Sequence, residues 1–388
     1  MWTATSPSTA YPGGPWIRSR RWDLTFVFGS ALLVALPLAT YYLMTALTGT
    51  PPQSFQEDQA LSIAMVINLG CAFLIGGPHM YATYTLTLAE QRFRDRHPVL
   101  LGAAALVPVV VIFLATTRIE LLMTVFFAWA SLHAAHQLTY LVQQYHLRAG
   151  TSVRLPAWSR LIDYVLVGMC LYPVVMWRLL APQGDVLRMP FGIEIAQGFH
   201  IGRVDLSRQL PELVAGQVWI AWTFFAVFGV ALAAFVVRTA WEAATGRSAW
   251  PRTLLVCLTV PVVFSLPLFD NMDVSLQGFN LWHSTQYLGL VYLINAYRKE
   301  RGEISSGFVT ELSGIGNGWR YYAFLVVVSM SVGGLMGFLH YVAGLPLLQV
   351  YYAVLLSGLW VHYLWDHAVF TQAQALAPPE YAGRLSPV

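Results

Sequence analysis

Apolar residues gather into ten runs along the chain, each close to the roughly 20 residues that carry a helix across a hydrocarbon core. They cover 24–48, 59–86, 98–116, 120–145, 160–180, 214–237, 253–269, 276–297, 320–343 and 348–370. Most of the connections between them are short and polar. The pattern predicts an all-α protein, a polytopic helix bundle of about ten transmembrane helices forming one domain over 23–371. A flexible N-terminal tail (1–22) and a C-terminal tail (372–388) flank it. The opening segment MWTATSPSTAYPGGPW is rich in Pro, Gly and Ser and lacks the basic-then-apolar order of a cleavable signal peptide.

Charges give an independent test of the count, because Lys and Arg collect in short cytoplasmic loops. Arg18, Arg20 and Arg21 precede the first run; Arg92, Arg94 and Arg96 follow the second; Arg148, Arg154 and Arg160 follow the fourth. Arg238, Arg247 and Arg252 follow the sixth, and Arg298, Lys299 and Arg301 the eighth. The opposite connections read QSFQED, FDNMD and AGLP, while the long one near 181–213 mixes both signs. Both termini are therefore expected in the cytoplasm and the protein in a bacterial-type inner membrane.

Composition agrees: 57% hydrophobic, 14% aromatic and 11% charged residues, with a mean hydropathy of +0.57, exceed what a soluble core can bury. The net charge of +3 carries no nucleic-acid footprint. Cys71, Cys170 and Cys257 lie inside apolar runs without CxxC spacing, which argues against disulfides and thiolate metal sites. The expected partners are membrane lipids and a lipophilic small molecule.

Seven of the ten histidines lie within the apolar runs: His79, His133, His136, His283, His340, His362 and His367. An ionisable group at that depth costs free energy unless it finds a partner. Counting along the helices puts His133, His136, His283 and His362 near mid-membrane, and His79 and His367 toward the inner side. His340 and His146 sit near helix ends, where an interface is in reach.

Spacing adds detail. His133 and His136 are three apart and share a helical face with Gln137 and Tyr140, while His283 is followed by Gln286 and Tyr287. His136, Tyr140 and Tyr145 repeat the spacing of His283, Tyr287 and Tyr292 as a faint internal echo. His362 and Asp366 are four apart, so the carboxylate can accept an imidazole proton as the outer partner of a ligating histidine. Pro78, beside His79, frees a backbone carbonyl and bends its helix.

Neutral imidazoles suit iron, copper, zinc or nickel, and an all-nitrogen site with a vacant position favours oxygen chemistry on ferrous iron. The metal ligand pool is His79, His133, His136, His283 and His362, of which about four are needed. Asp366, His367, Tyr140 and Tyr287 are candidates for catalytic or proton-transfer roles, and Gln137 and Gln286 for positioning. The expected cofactor is non-haem iron.

With WHSTQY and HAAHQ on separate helices, the chain resembles the Brp/Blh type of membrane β-carotene dioxygenase. The resemblance implies one iron held by four intramembrane histidines and cleavage of a carotenoid by oxygen. Fatty-acid desaturases and alkane hydroxylases use HxxxH and HxxHH boxes, which HAAH and HYLWDH do not fit. Two other classes remain: a haem b subunit with His136 and His283 as axial ligands, and a transporter or proton relay stepping through Asp163, Asp270 or Asp366.

Overall fold

The computed structural model describes residues 14–49, 63–149, 156–201, 204–210, 214–269, 271–314, 316–370 and 373–376. Most of both predicted tails, the QSFQED connection, Arg154 and Asp270 lie outside these residues. The long helices are α1 (Arg20–Thr48), α2 (Ile63–Leu86), α3 (Pro98–Thr117), α4 (Ile119–Ala149) and α5 (Ala157–Leu180). They continue with α6 (Val218–Ala244), α7 (Trp250–Leu268), α8 (Met272–Glu300), α9 (Gly318–Tyr341) and α10 (Leu347–Phe370). The long connection after α5 forms two small antiparallel hairpins. One pairs β1 (Val186–Arg188) with β2 (Glu194–Ala196), the other β3 (His200–Ile201) with β4 (Val204–Asp205).

Among the described residues, nine helices are long and apolar enough to cross a membrane. These are the runs predicted from the sequence, except that the eighth, α8, is more polar than the rest. It packs against α1, α2 and α7, so its polar groups face protein. His283, Ser284, Gln286, Tyr287 and Asn295 on α8 are all buried. The outer helices behave oppositely. Val109, Ile112 and Phe113 of α3, Val230 and Val237 of α6, and Val327 and Phe338 of α9 are exposed. So much exposed apolar surface marks a membrane protein.

Four local features position the polar core. Pro78 has no N–H to bond the carbonyl of Leu74 four residues earlier, and the Tyr322 hydroxyl of α9 donates to that oxygen at 2.6 Å. A π turn over Ala72–Gly76 lies just before it, a distortion frequent at functional sites. A second π turn, Leu24–Phe28 in α1, presents the Val27 carbonyl to Gln286 Nε2 at 2.9 Å. Gly278 lets α1 and α8 meet closely, since a Cβ there would collide with the Val34 carbonyl oxygen.

Candidate metal centre

His79 of α2, His133 of α4, His283 of α8 and His362 of α10 converge inside the bundle, each buried. Neighbouring ring centroids are 4.9 Å apart for His79 and His283, and 5.2 Å for His283 and His133. Those of His133 and His362 are 4.8 Å apart, and those of His362 and His79 4.4 Å. Across this ring of four, His79 and His133 stand 6.3 Å apart. The buried ring nitrogens without a hydrogen-bond partner are both of His79's, His133 Nε2, His283 Nδ1 and His362 Nε2.

These distances fit a shared ion. A metal–nitrogen bond of about 2.1 Å plus a ring radius of about 1.1 Å puts each centroid roughly 3.2 Å from the metal. Ligands at right angles would then stand about 4.5 Å apart, tetrahedral ones about 5.2 Å and opposite ones about 6.4 Å. The four neighbouring pairs match the first two values, and His79 with His133 matches the last. Ligand atoms of His79, His133 and His283 all lie within 4.8 Å of one another, as do those of His133, His362 and Asp366. Buried ring nitrogens without partners are costly, and a cation shared by a group of these ligand atoms would satisfy several at once.

Around the centre lies a hydrogen-bonded frame. Thr83, four residues after His79, has its hydroxyl 2.5 Å from His362 Nδ1, 2.6 Å from the Tyr287 hydroxyl and 3.0 Å from Asp366 Oδ1. Tyr287 donates a short hydrogen bond to Asp366 Oδ1. The sequence reading missed Thr83, although its i+4 spacing from His79 in PHMYATY was the available signal. Gln137 Nε2 donates to the His283 backbone carbonyl at 3.0 Å, tying α4 to α8. Tyr363 stacks on His133 at 4.3 Å.

The other candidates fall elsewhere. His136 is half-buried and its ring lies beside His367, 5.6 Å away, and Phe370, outside the ring of four. Spacing of three leaves two side chains about 60° apart around a helix, enough to send His133 inward and His136 toward the edge of α10. The His136–His283 facing pair of the haem reading is therefore not formed. His367 is exposed, and Tyr140 packs on Phe370 at 5.0 Å. The echo of His136 with His283 does not place them equivalently, since only His283 joins the centre. His79, expected toward the inner side, packs directly against two of the histidines expected near mid-membrane, His283 and His362.

Nor does Asp163 join the centre. It belongs to a buried ionic cluster with Arg238 at 2.7 Å and His146 at 2.8 Å, where Arg252 pairs with Glu242. His340 bonds the Leu345 carbonyl at 2.8 Å, away from the centre.

A cavity of about 500 Å³ reaches the centre. His79, His133 and His283 line one end; Met123, Phe127, Leu276, Leu355 and Leu359 form apolar walls; and Asn68, Asp273 and Tyr351 line it further along their helices. Its size falls in the range of small-molecule sites.

Fold and site together define a multi-pass helical membrane protein with a buried histidine group able to bind a metal. No family model, curated protein or solved structure matches the chain.

Proposed function

We propose that this chain is an integral membrane oxidoreductase in which His79, His133, His283 and His362 hold one non-haem iron. Its substrate is a lipophilic molecule, such as a carotenoid or another lipid chain, lying in the adjoining cavity. The observation that carries this reading is the convergence of four buried histidines from four helices, each with a ring nitrogen lacking a hydrogen-bond partner and three of them lining an apolar cavity. Bound there, ferrous iron would supply dioxygen chemistry.

The rest is the work of the chain's own residues. Thr83 fixes the ring of His362 through Nδ1, which leaves Nε2 turned to the centre. Gln137 and Gln286 lock α4, α8 and α1 together, so the ligands are held by a rigid frame. The walls of Leu, Met and Phe exclude water and bind a hydrocarbon by apolar contact. The basic loops orient the bundle with both termini in the cytoplasm of a bacterial-type inner membrane.

The test is oxygen-dependent turnover by purified, iron-loaded protein in detergent. A panel of carotenoids and unsaturated lipids is supplied, and products are identified by chromatography and mass spectrometry. Consumption of one substrate class with stoichiometric oxygen uptake supports the proposal. A fully iron-loaded protein that consumes neither oxygen nor any substrate refutes it.

A further inference from the structure

The sequence suggests a supporting role for Asp366, accepting a proton from a ligating histidine four residues away. The geometry points elsewhere. A supporting partner binds the ring nitrogen that the metal does not use, and for His362 that nitrogen, Nδ1, is occupied by Thr83 at 2.5 Å. Asp366 instead places Oδ2 3.5 Å from His362 Nε2 and 3.8 Å from His133 Nε2. Those are the nitrogens without hydrogen-bond partners, and Oδ2 itself is buried without one. The other carboxylate oxygen, Oδ1, is held by Tyr287 and Thr83. The side chain is thus oriented by one oxygen while the other faces the same volume as the ring nitrogens.

Charge leads to the same place. Four neutral imidazoles leave a divalent ion with its full charge in an apolar interior, where uncompensated charge is expensive. The other fully buried carboxylates among the described residues have cations of their own. Glu90 pairs with Arg298, Asp163 with Arg238, and Glu242 with Arg252, while Asp23 interacts with Arg148. Asp366 is fully buried, and among the described residues its ion-pair contacts are His133 and His362 alone. A metal ion is the cation that its position lacks.

Building on the proposed iron centre, we infer that Asp366 is itself a ligand, through Oδ2, and that the centre is a four-histidine, one-carboxylate site. Neither Asp366 nor His362 lines the cavity, whereas the other three histidines do. The carboxylate therefore closes the side of the ion away from the cavity, leaving the cavity side for substrate or oxygen. It also lowers the charge of the centre by one, which favours the oxidised over the reduced ion relative to an all-histidine site.

The experiment uses the full-length chain in detergent, stripped of metal and titrated with Co(II). Visible absorption and infrared difference spectra are recorded for wild type, Asp366→Asn and Asp366→Glu. One Co(II) per chain is expected, with carboxylate stretching bands that shift on metal addition. In Asp366→Asn those bands vanish, the cobalt absorption changes in position and intensity, and affinity falls at least tenfold. Asp366→Glu keeps the carboxylate bands. Failure of wild type to bind Co(II) or Fe(II) overturns the metal centre itself, and the ligand with it. Binding without any carboxylate shift in wild type overturns Asp366 as ligand and leaves the histidine centre standing. That infrared result stands even if Asp366→Asn fails to fold.

Discussion

Thr83→Val removes one hydroxyl at nearly constant volume and so isolates what the frame around the histidines contributes. Three buried groups depend on that hydroxyl: His362 Nδ1 at 2.5 Å, the Tyr287 hydroxyl at 2.6 Å and Asp366 Oδ1 at 3.0 Å. Tyr287 and Asp366 keep each other as partners, whereas His362 Nδ1 has no substitute. The stability cost is therefore near that of one stranded polar group, about 1–3 kcal/mol, and not three times that. For metal binding, loss of a ligand's outer partner lowers affinity about 10–100-fold, equivalent to about 1.4–2.7 kcal/mol. Competition with a coloured chelator on purified protein reads the affinity, and Thr83→Ser, which restores a hydroxyl, should recover most of it. A Thr83→Val protein that binds metal within twofold of wild type would refute the view that Thr83 orients His362.

Alanine at His79, His133, His283 or His362 should each lower metal affinity by at least about 100-fold, the upper end for loss of an outer partner. His136→Ala and His367→Ala should leave it unchanged, and chelator competition separates the two groups. Tyr322→Phe strands the Leu74 carbonyl freed by Pro78 and should cost about 1 kcal/mol, read as a lower thermal midpoint with unchanged metal content. Leu355→Trp fills the apolar wall of the cavity. It should raise KM for a lipophilic substrate or abolish turnover while iron stoichiometry stays at the wild-type value; an unchanged KM would place the substrate elsewhere.

How much of this was legible in the sequence depended on the length scale. The helices were readable because a run of apolar residues and the basic loops beside it are local signals. Even α8 was found, although its polar face makes it the least hydrophobic of the set; the face is polar because other helices surround it. Four of the five predicted ligands converge, since intramembrane histidines are too costly to be scattered without cause. Sequence spacing could not separate His133 from His136: only the rotation of α4 relative to α10 decides which ring turns inward. Thr83 is harder to read because a threonine in an apolar helix usually bonds its own backbone, and its i+4 spacing from His79 does not tell that it meets three residues from two other helices. The side of His362 that Asp366 approaches was open for a related reason. Spacing of four brings the two side chains together, but it does not say which ring nitrogen the carboxylate approaches.

The central claim is a histidine-held, non-haem metal in the bundle, and metal analysis of the protein purified in detergent tests it most directly. Inductively coupled plasma mass spectrometry and an absorption spectrum should be taken on the same sample, with His283→Ala alongside. The account predicts about one iron per chain without a Soret band, and its loss in the variant. A wild-type protein that carries no metal and takes up none when Fe(II) is added, or one that shows a stoichiometric Soret band, would contradict it.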